Sequence, residues 1–128
     1  MTGLREVLRE DYVMPEIDEV VKDRILQEAR LCNKNGDINR LEELYITSFS
    51  VIQYDPYMHY YLALTYTQAS KHERAIEYYP IARCFGAVDA ELYINWCISL
   101  WHLEKYQEVE QVASQGLNTL HETNMEMY

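Results

Sequence analysis

Glycine, proline and basic side chains are all scarce in this sequence of 128 residues. Four glycines and three prolines leave few natural breaks, which predicts long regular elements joined by short connections. Eleven lysines and arginines stand against 21 aspartates and glutamates, which gives a formal net charge of −10. Because nucleic-acid binding needs clustered Lys and Arg to neutralise phosphates, the composition argues against a nucleic-acid partner.

Cysteine is also rare, and long apolar runs are missing. Cys32, Cys84 and Cys97 are an odd number of thiols without a CxxC motif, which is typical of reduced cysteines in a cytosol. No apolar run approaches the roughly 18 residues of a membrane span, and no basic start leads into an apolar stretch. We therefore expect a cytoplasmic protein without membrane insertion or a secretory signal.

The motifs of common catalytic and metal sites are missing too. The sequence has no GxSxG, P-loop or HExxH motif and no glycine-rich phosphate loop. Its four histidines share no metal-ligand spacing with cysteines or carboxylates; they are His59, His72, His102 and His121. We therefore expect no enzyme activity, no cofactor and no bound metal.

What the sequence does contain is a weak internal repeat. Three candidate helix–helix turns centre on Gly36, Ser70 and Glu104, and each is 34 positions from the next. In the same frame small residues recur in the first helix of each unit at 29, 63 and 97, and in the second at 48, 82 and 116. A period of 34 residues is that of tetratricopeptide repeats, in which each repeat is one helical hairpin.

This register predicts an all-α fold of three tetratricopeptide-like hairpins in a right-handed superhelix. We expect a single domain over 1–128, with an N-terminal extension at 1–21 and repeats at about 22–55, 56–89 and 90–123. The predicted helices are approximately 15–35, 38–53, 56–69, 72–85, 90–103 and 105–120, preceded by a short amphipathic segment at 3–10. Pro80 falls inside one of them and predicts a kink or an early end there.

Capping residues agree with these bounds. Asp55 followed by Pro56 supplies an N-cap and a proline at the first helical position. Asp89 can cap the helix that starts at the next residue. Gly36 and Gly86 follow predicted helix ends, where a left-handed residue is favoured.

Tyrosine is abundant, with 12 in the chain and five of them between residues 54 and 66. The first helix of each stacked hairpin lines the concave side of such a fold. The frame places eight side chains on that side, which we call the stripe: Leu26, Arg30, Tyr57, Tyr60, Leu64, Ile94, Ile98 and Trp101. An exposed apolar and aromatic groove marks a binding site for a partly apolar partner. In the alternative interpretation, Tyr57 and Tyr60 pack between the repeats as core.

Several local patterns together resemble a known family. A proline-led helix at 14–17 runs to a glycine turn at 35–37, and the first repeat closes on Tyr54–Tyr57 (YDPY). The next hairpin carries Ala63 and Tyr66, and then AIEYY at 75–79. With three repeats, small size and an acidic pI, the chain is similar to the class II chaperones of type III secretion systems, which guard hydrophobic translocator proteins.

The resemblance implies a bacterial cytoplasmic chaperone. It would hold an extended, partly hydrophobic segment of a translocator in the concave groove, keeping it soluble before export. The family places dimer contacts in its N-terminal segment, where Leu4, Val7 and Leu8 share one side of the predicted helix. That segment is expected to dock on the first repeat or on a second copy, and the resemblance favours a homodimer.

Two other functions stay open. A general tetratricopeptide adaptor binds acidic C-terminal tails through a clamp of Lys, Asn and Arg side chains. At the corresponding positions this chain has Leu26, Arg30, Tyr61, Glu91 and Asn95, so two clamp lysines are replaced by an apolar residue and an acid. The other alternative is a structural subunit of a larger complex.

Overall fold

A computed structural model describes residues 19–126 of the chain, with side-chain surroundings to residue 122. Its seven helices are α1 (Glu19–Asn35), α2 (Ile38–Thr47), α3 (Phe49–Ile52), α4 (Pro56–Gln68), α5 (His72–Cys84), α6 (Ala90–His102) and α7 (Tyr106–Glu126). No strand occurs between residues 19 and 126, so the all-α prediction is confirmed. Residues 15–18 of the predicted first helix lie outside the described range.

The predicted helix bounds are close to the observed ones, with two differences. The helix expected at 38–53 is divided at Ser48 into α2 and the short α3. The hydroxyl of Thr47 donates to the carbonyl oxygens of Glu43 and Leu44 at this division, a side-chain bond that competes with the helical ladder. The last helix also continues past residue 120, to Glu126.

The three predicted turns share one backbone conformation. Gly36, Ser70 and Glu104 have φ of 68°, 60° and 60°, so all three lie in the left-handed region. After each of them an amide donates back to the last turn of the preceding helix. Asp37 N to Cys32 O is 2.9 Å, and the corresponding bonds 34 and 68 residues later are 2.8 and 2.9 Å. This is the Schellman ending of a helix, and it repeats at the predicted period.

Three helix pairs pack as hairpins, namely α1 with α2, α4 with α5 and α6 with α7. The first helices of these hairpins also lie side by side, because α4 contacts both α1 and α6. Small side chains permit the close approaches: Ala29, Ala63 and Ala82 are fully buried. The handedness of the stack stays a prediction.

The helix starts differ in how they are capped. The Asp55 carboxylate accepts hydrogen bonds from the Tyr57 and Met58 amides at 2.9 and 3.1 Å, as the sequence predicts. Lys22 of α1 lies 3.2 Å from the same carboxylate, so this cap also joins the first two hairpins. Asp89 occupies the N-cap position of α6 with extended backbone, as predicted, but its side chain makes no capping hydrogen bond.

Pro80 lies within α5, which continues to Cys84. Of the two outcomes predicted for this proline, a kink or an early helix end, the early end does not occur. The helix loses the hydrogen bond that residue 80 would donate, but its neighbours hold it in place: Tyr79 and Ala82 are fully buried on either side of the proline. Whether the helix axis bends at Pro80 stays a prediction.

Tyrosines form much of the core. Tyr66, Tyr79 and Tyr93 are buried, and the Tyr79 ring stacks on Trp96 with centroids 6.2 Å apart. Burial needs a partner for each hydroxyl. The hydroxyl of Tyr79 lies 2.7 Å from Thr67 Oγ1, which in turn lies 2.8 Å from Ser99 Oγ on the next hairpin. Tyr79 thus joins the second and third hairpins, through its ring and, by way of Thr67, through its hydroxyl.

Candidate functional site

The most exposed part of the predicted stripe lies on α6. Ile94, Ile98 and Trp101 occupy successive turns of this helix, and 58%, 41% and 60% of their surfaces are exposed. Tyr106, at the start of α7, packs edge-on against the Trp101 ring with centroids 4.8 Å apart. Large apolar side chains at helical spacing therefore face solvent together, as the sequence predicts for this segment.

Tyr60 departs from the prediction. Only 7% of its surface is exposed, so the structure contradicts its expected place in an open groove. Its ring packs near those of Tyr61 and Tyr79, and its hydroxyl lies 3.5 Å from the Glu91 carboxylate. Burial, and then the charge of Glu91, raise the pKa of Tyr60 to about 12. For Tyr60 the core interpretation is the correct one.

The remaining stripe residues lie on α1 and α4 and expose less apolar surface, since Leu26 and Leu64 pack against the core. Tyr57 is exposed and Leu26 and Leu64 are partly buried. The exposed Arg30 donates from Nε to the Tyr61 hydroxyl at 3.2 Å, and its guanidinium lies 5.9 Å from the centre of the Tyr61 ring. The stripe is therefore continuous and apolar only on α6.

A groove that was not predicted from the sequence runs between α6 and α7. The groove has a volume of about 660 Å³, and we call it the terminal groove. Its walls include Tyr93, Ile94, Cys97, Ile98 and Trp101 of α6, and Val109, Ala113, Gly116, Leu117 and Leu120 of α7. The three exposed stripe residues of α6 thus belong to the terminal groove as well.

The α7 half of the groove was not predicted, because the stripe included residues from the first helix of each hairpin alone. One signal was available. Val109, Ala113, Gly116, Leu117 and Leu120 repeat three and four residues apart, which is the spacing of one helix face. Gly116 permits the close contact of the two helices, since a Cβ there would lie 2.8 Å from Cγ of Tyr93.

Acidic side chains stand beside this apolar surface. Glu91 and Glu110 are both exposed, and each lies one helical turn before a groove residue, Ile94 and Ala113 respectively. Together with the net charge of −10, they favour partners that carry basic residues next to an apolar surface.

The ionisable side chains of the described residues include a close pair of histidines but no metal-ligand cluster. Between residues 19 and 126 no group of three or more His, Cys, Asp or Glu side chains is placed so that it could hold a metal ion. His72 and His102 stack with ring centroids 4.4 Å apart, and His72 Nδ1 lies 2.9 Å from Ser99 Oγ. Burial, with a smaller effect from His102, lowers the pKa of His72.

Two further predictions concern the clamp and the dimer. Glu91, at one position of the carboxylate clamp, is next to the Tyr60 hydroxyl, so this position would repel an acidic tail. The proposed dimer residues Leu4, Val7 and Leu8 lie outside the described residues.

Of the helices in the described range, none is both long enough and apolar enough to cross a membrane.

Comparison with protein-family models, with curated proteins and with solved structures finds no match for this chain. Its function must therefore be inferred from the residues and their geometry.

Proposed function

We propose that this protein binds a partly apolar segment of another protein along the stripe. The observation that carries the proposal is the exposure of Ile94, Ile98 and Trp101 on successive turns of α6. Monomeric proteins rarely leave such contiguous apolar side chains in water unless they serve an interaction. Binding is the activity that these exposed side chains support best, because apolar and aromatic side chains form the buried centre of protein interfaces.

Within this class we propose a cytoplasmic chaperone of a bacterial type III secretion system. The support is the resemblance of the repeats and of the YDPY and AIEYY stretches to class II chaperones, together with the acidic composition. A translocator must keep membrane-inserting segments soluble before export. Covering such a segment stabilises the complex by about 25 cal/mol per Å² of apolar surface, before ordering costs are subtracted.

The experiment is copurification of the tagged full-length protein from its native host, with identification of the bound protein. We expect a secreted protein with apolar membrane-inserting segments that precipitates when it is expressed alone. Trp101→Ala and Tyr57→Ala should each weaken binding by about 1–2 kcal/mol, since aromatic anchors contribute most of the energy of an interface. Leu31→Ala is the matched control, because Leu31 is exposed on α1 but belongs to neither surface.

The outcomes separate the alternatives. A bound protein that is soluble and folded on its own would indicate an adaptor or a structural subunit rather than a chaperone. If Trp101→Ala and Tyr57→Ala retain their partner as well as Leu31→Ala does, the stripe is not the binding site.

A further inference from the structure

The third hairpin presents a face that is covered in the second. Tyr60, Ala63 and Tyr79 of the second hairpin are buried, and α6 packs on both helices of that hairpin. The residues 34 positions later are Ile94, Cys97 and Ala113, of which the first and last are exposed and the middle one only partly buried. Between residues 19 and 126 no element covers them in the way α6 covers the second hairpin.

We propose that the terminal groove binds an amphipathic α-helix of a partner protein, one whose apolar stripe is flanked by Lys and Arg. The helix would lie on α6 and α7 as α6 lies on α4 and α5. This proposal rests on the proposed function in taking the partner to be a protein. It differs from the proposed function in two ways: the bound segment is a helix, and the binding surface includes α7.

The chemistry of the walls favours a helix over an extended strand. The polar groups of the groove side chains are the Tyr93 hydroxyl, the His102 imidazole, the Trp101 indole N–H and the Cys97 thiol. The Tyr93 hydroxyl donates to Thr119 at 3.3 Å, and the Cys97 thiol donates to the Val109 carbonyl at 3.7 Å. An extended backbone placed there would find few hydrogen-bond partners for the amides and carbonyls that face the walls, and leaving such groups unpaired is unfavourable. A helix satisfies its own backbone and brings only side chains to the walls.

The dimensions agree with a short helix. The α7 wall runs from Val109 to Leu120, which is about 16 Å at 1.5 Å per residue. This length corresponds to about three turns of a docked helix. The walls combine the small Ala113 and Gly116 with the larger Ile98 and Leu117. Helices pack by placing ridges of large side chains into hollows over small ones.

The charges beside the groove favour a basic partner helix over a second copy of this chain or its own residues 1–18. Glu91 and Glu110 flank the groove, so basic residues beside the apolar stripe of the partner would be attracted. A second copy of this chain carries the same net charge of −10 and would be repelled. Residues 1–18 of the chain itself contain two arginines against five acidic residues, which disfavours them as well.

The test uses the full-length protein and synthetic peptides, with binding measured by isothermal titration calorimetry. The first peptide has leucines spaced three and four apart among lysines. The second has the same composition with leucine and lysine alternating, and the third replaces the lysines of the first with glutamate. A fourth peptide copies residues 1–18.

We expect the first peptide to bind, and to gain helical circular dichroism on binding. The alternating and glutamate peptides should each bind at least about tenfold more weakly. Leu117→Ser should weaken the first peptide about tenfold or more, as loss of a central apolar contact does. Leu31→Ser should leave binding unchanged; Leu117 and Leu31 are similarly exposed, at 71% and 58%, and differ in their place relative to the groove.

Four results would overturn the inference: equal binding of the first two peptides, binding that survives Leu117→Ser, tighter binding of the 1–18 peptide, or self-association that Leu117→Ser abolishes. The last two would assign the groove to the chain's own segment or to a second copy. Tyr57→Ala lies outside the groove and reports on the stripe alone. A native partner lost with Tyr57→Ala but kept with Leu117→Ser would therefore support the proposed function while this inference fails.

Discussion

Gly116→Ala tests the spacing of α6 and α7, because two opposing effects act at this one position. Gly116 lies in the interior of α7 and is buried. By helix propensity alone, alanine should stabilise the protein by about 1 kcal/mol over glycine. The added Cβ, however, would lie 2.8 Å from Cγ and 2.9 Å from Cβ of Tyr93, which is closer than non-bonded carbon atoms come.

The clash should outweigh the gain in helix propensity. Cγ and Cβ are at the root of the Tyr93 side chain, which is buried, so the ring cannot move away without a shift of α6. Overpacking of this kind costs about 1–3 kcal/mol. After subtraction of the propensity gain, we expect Gly116→Ala to lower the free energy of unfolding by up to about 2 kcal/mol.

Urea unfolding followed by far-UV circular dichroism measures this change, with Ser114→Ala on the exposed face of the same helix as the control. Ser114→Ala should stay within about 0.5 kcal/mol of the original protein. A Tyr93→Ala background removes Cγ and the ring but keeps Cβ, so it relieves part of the clash. Gly116→Ala should therefore cost about 1 kcal/mol less in that background. If Gly116→Ala instead stabilises the original protein by about 1 kcal/mol, α6 and α7 lie farther apart than described here.

Three other predictions concern a turn, a cap and a histidine. Glu104→Gly should stabilise the protein by up to about 1 kcal/mol in urea unfolding, since relief of left-handed strain exceeds the entropy that glycine adds to the unfolded chain; a loss of stability would contradict the left-handed conformation. Asp55→Ala should cost about 1–2 kcal/mol through loss of the N-cap and Asp55→Asn less, whereas equal losses would assign the effect to the ion pair with Lys22. In the folded protein the pKa of His72 is lowered from its ordinary value of 6.5. As the pH falls, the imidazole is therefore protonated in the unfolded chain before it is protonated in the folded one. The contribution of His72 to stability is therefore complete above about pH 6.5 and declines as the pH falls below it. His72→Gln should reduce the change of the urea unfolding midpoint between about pH 7.5 and 5.5. If the midpoint changes with pH as much as in the original protein, His72 is not the group responsible.

The turns could be predicted from the sequence because their chemistry is local. A helix end needs only its own last turn and one left-handed residue, and the spacing of Gly36, Ser70 and Glu104 already locates all three. The cap at Asp55 is local in the same sense. Asp89 shows the limit, because a capping residue type does not oblige its side chain to turn back to the helix.

The stripe could be predicted only in part, because exposure depends on neighbours far away in sequence. Helix α4 is rich in apolar residues on all sides, and α1, α5 and α6 all pack against it. A helix of that kind has no apolar face that distinguishes buried from exposed tyrosines. Tyr57 and Tyr60 have the same residue type and lie less than one turn apart, yet the first is exposed and the second is buried by the approach of α6.

The comparison of α4 with α6 bears on function. Both are 13 residues long and mostly apolar, which is typical of helices with neighbours on several sides. For α4 those neighbours lie on both flanks, since it contacts α1 and α6. For α6, contacts with α4, α5 and α7 leave Ile94, Ile98 and Trp101 exposed within the described residues. Three large apolar side chains on one helix face contribute nothing to solubility, and exposing them favours aggregation. A partner that covers this face is the simplest physical reason for their presence, and it is the premise that both peptide binding and copurification put to the test.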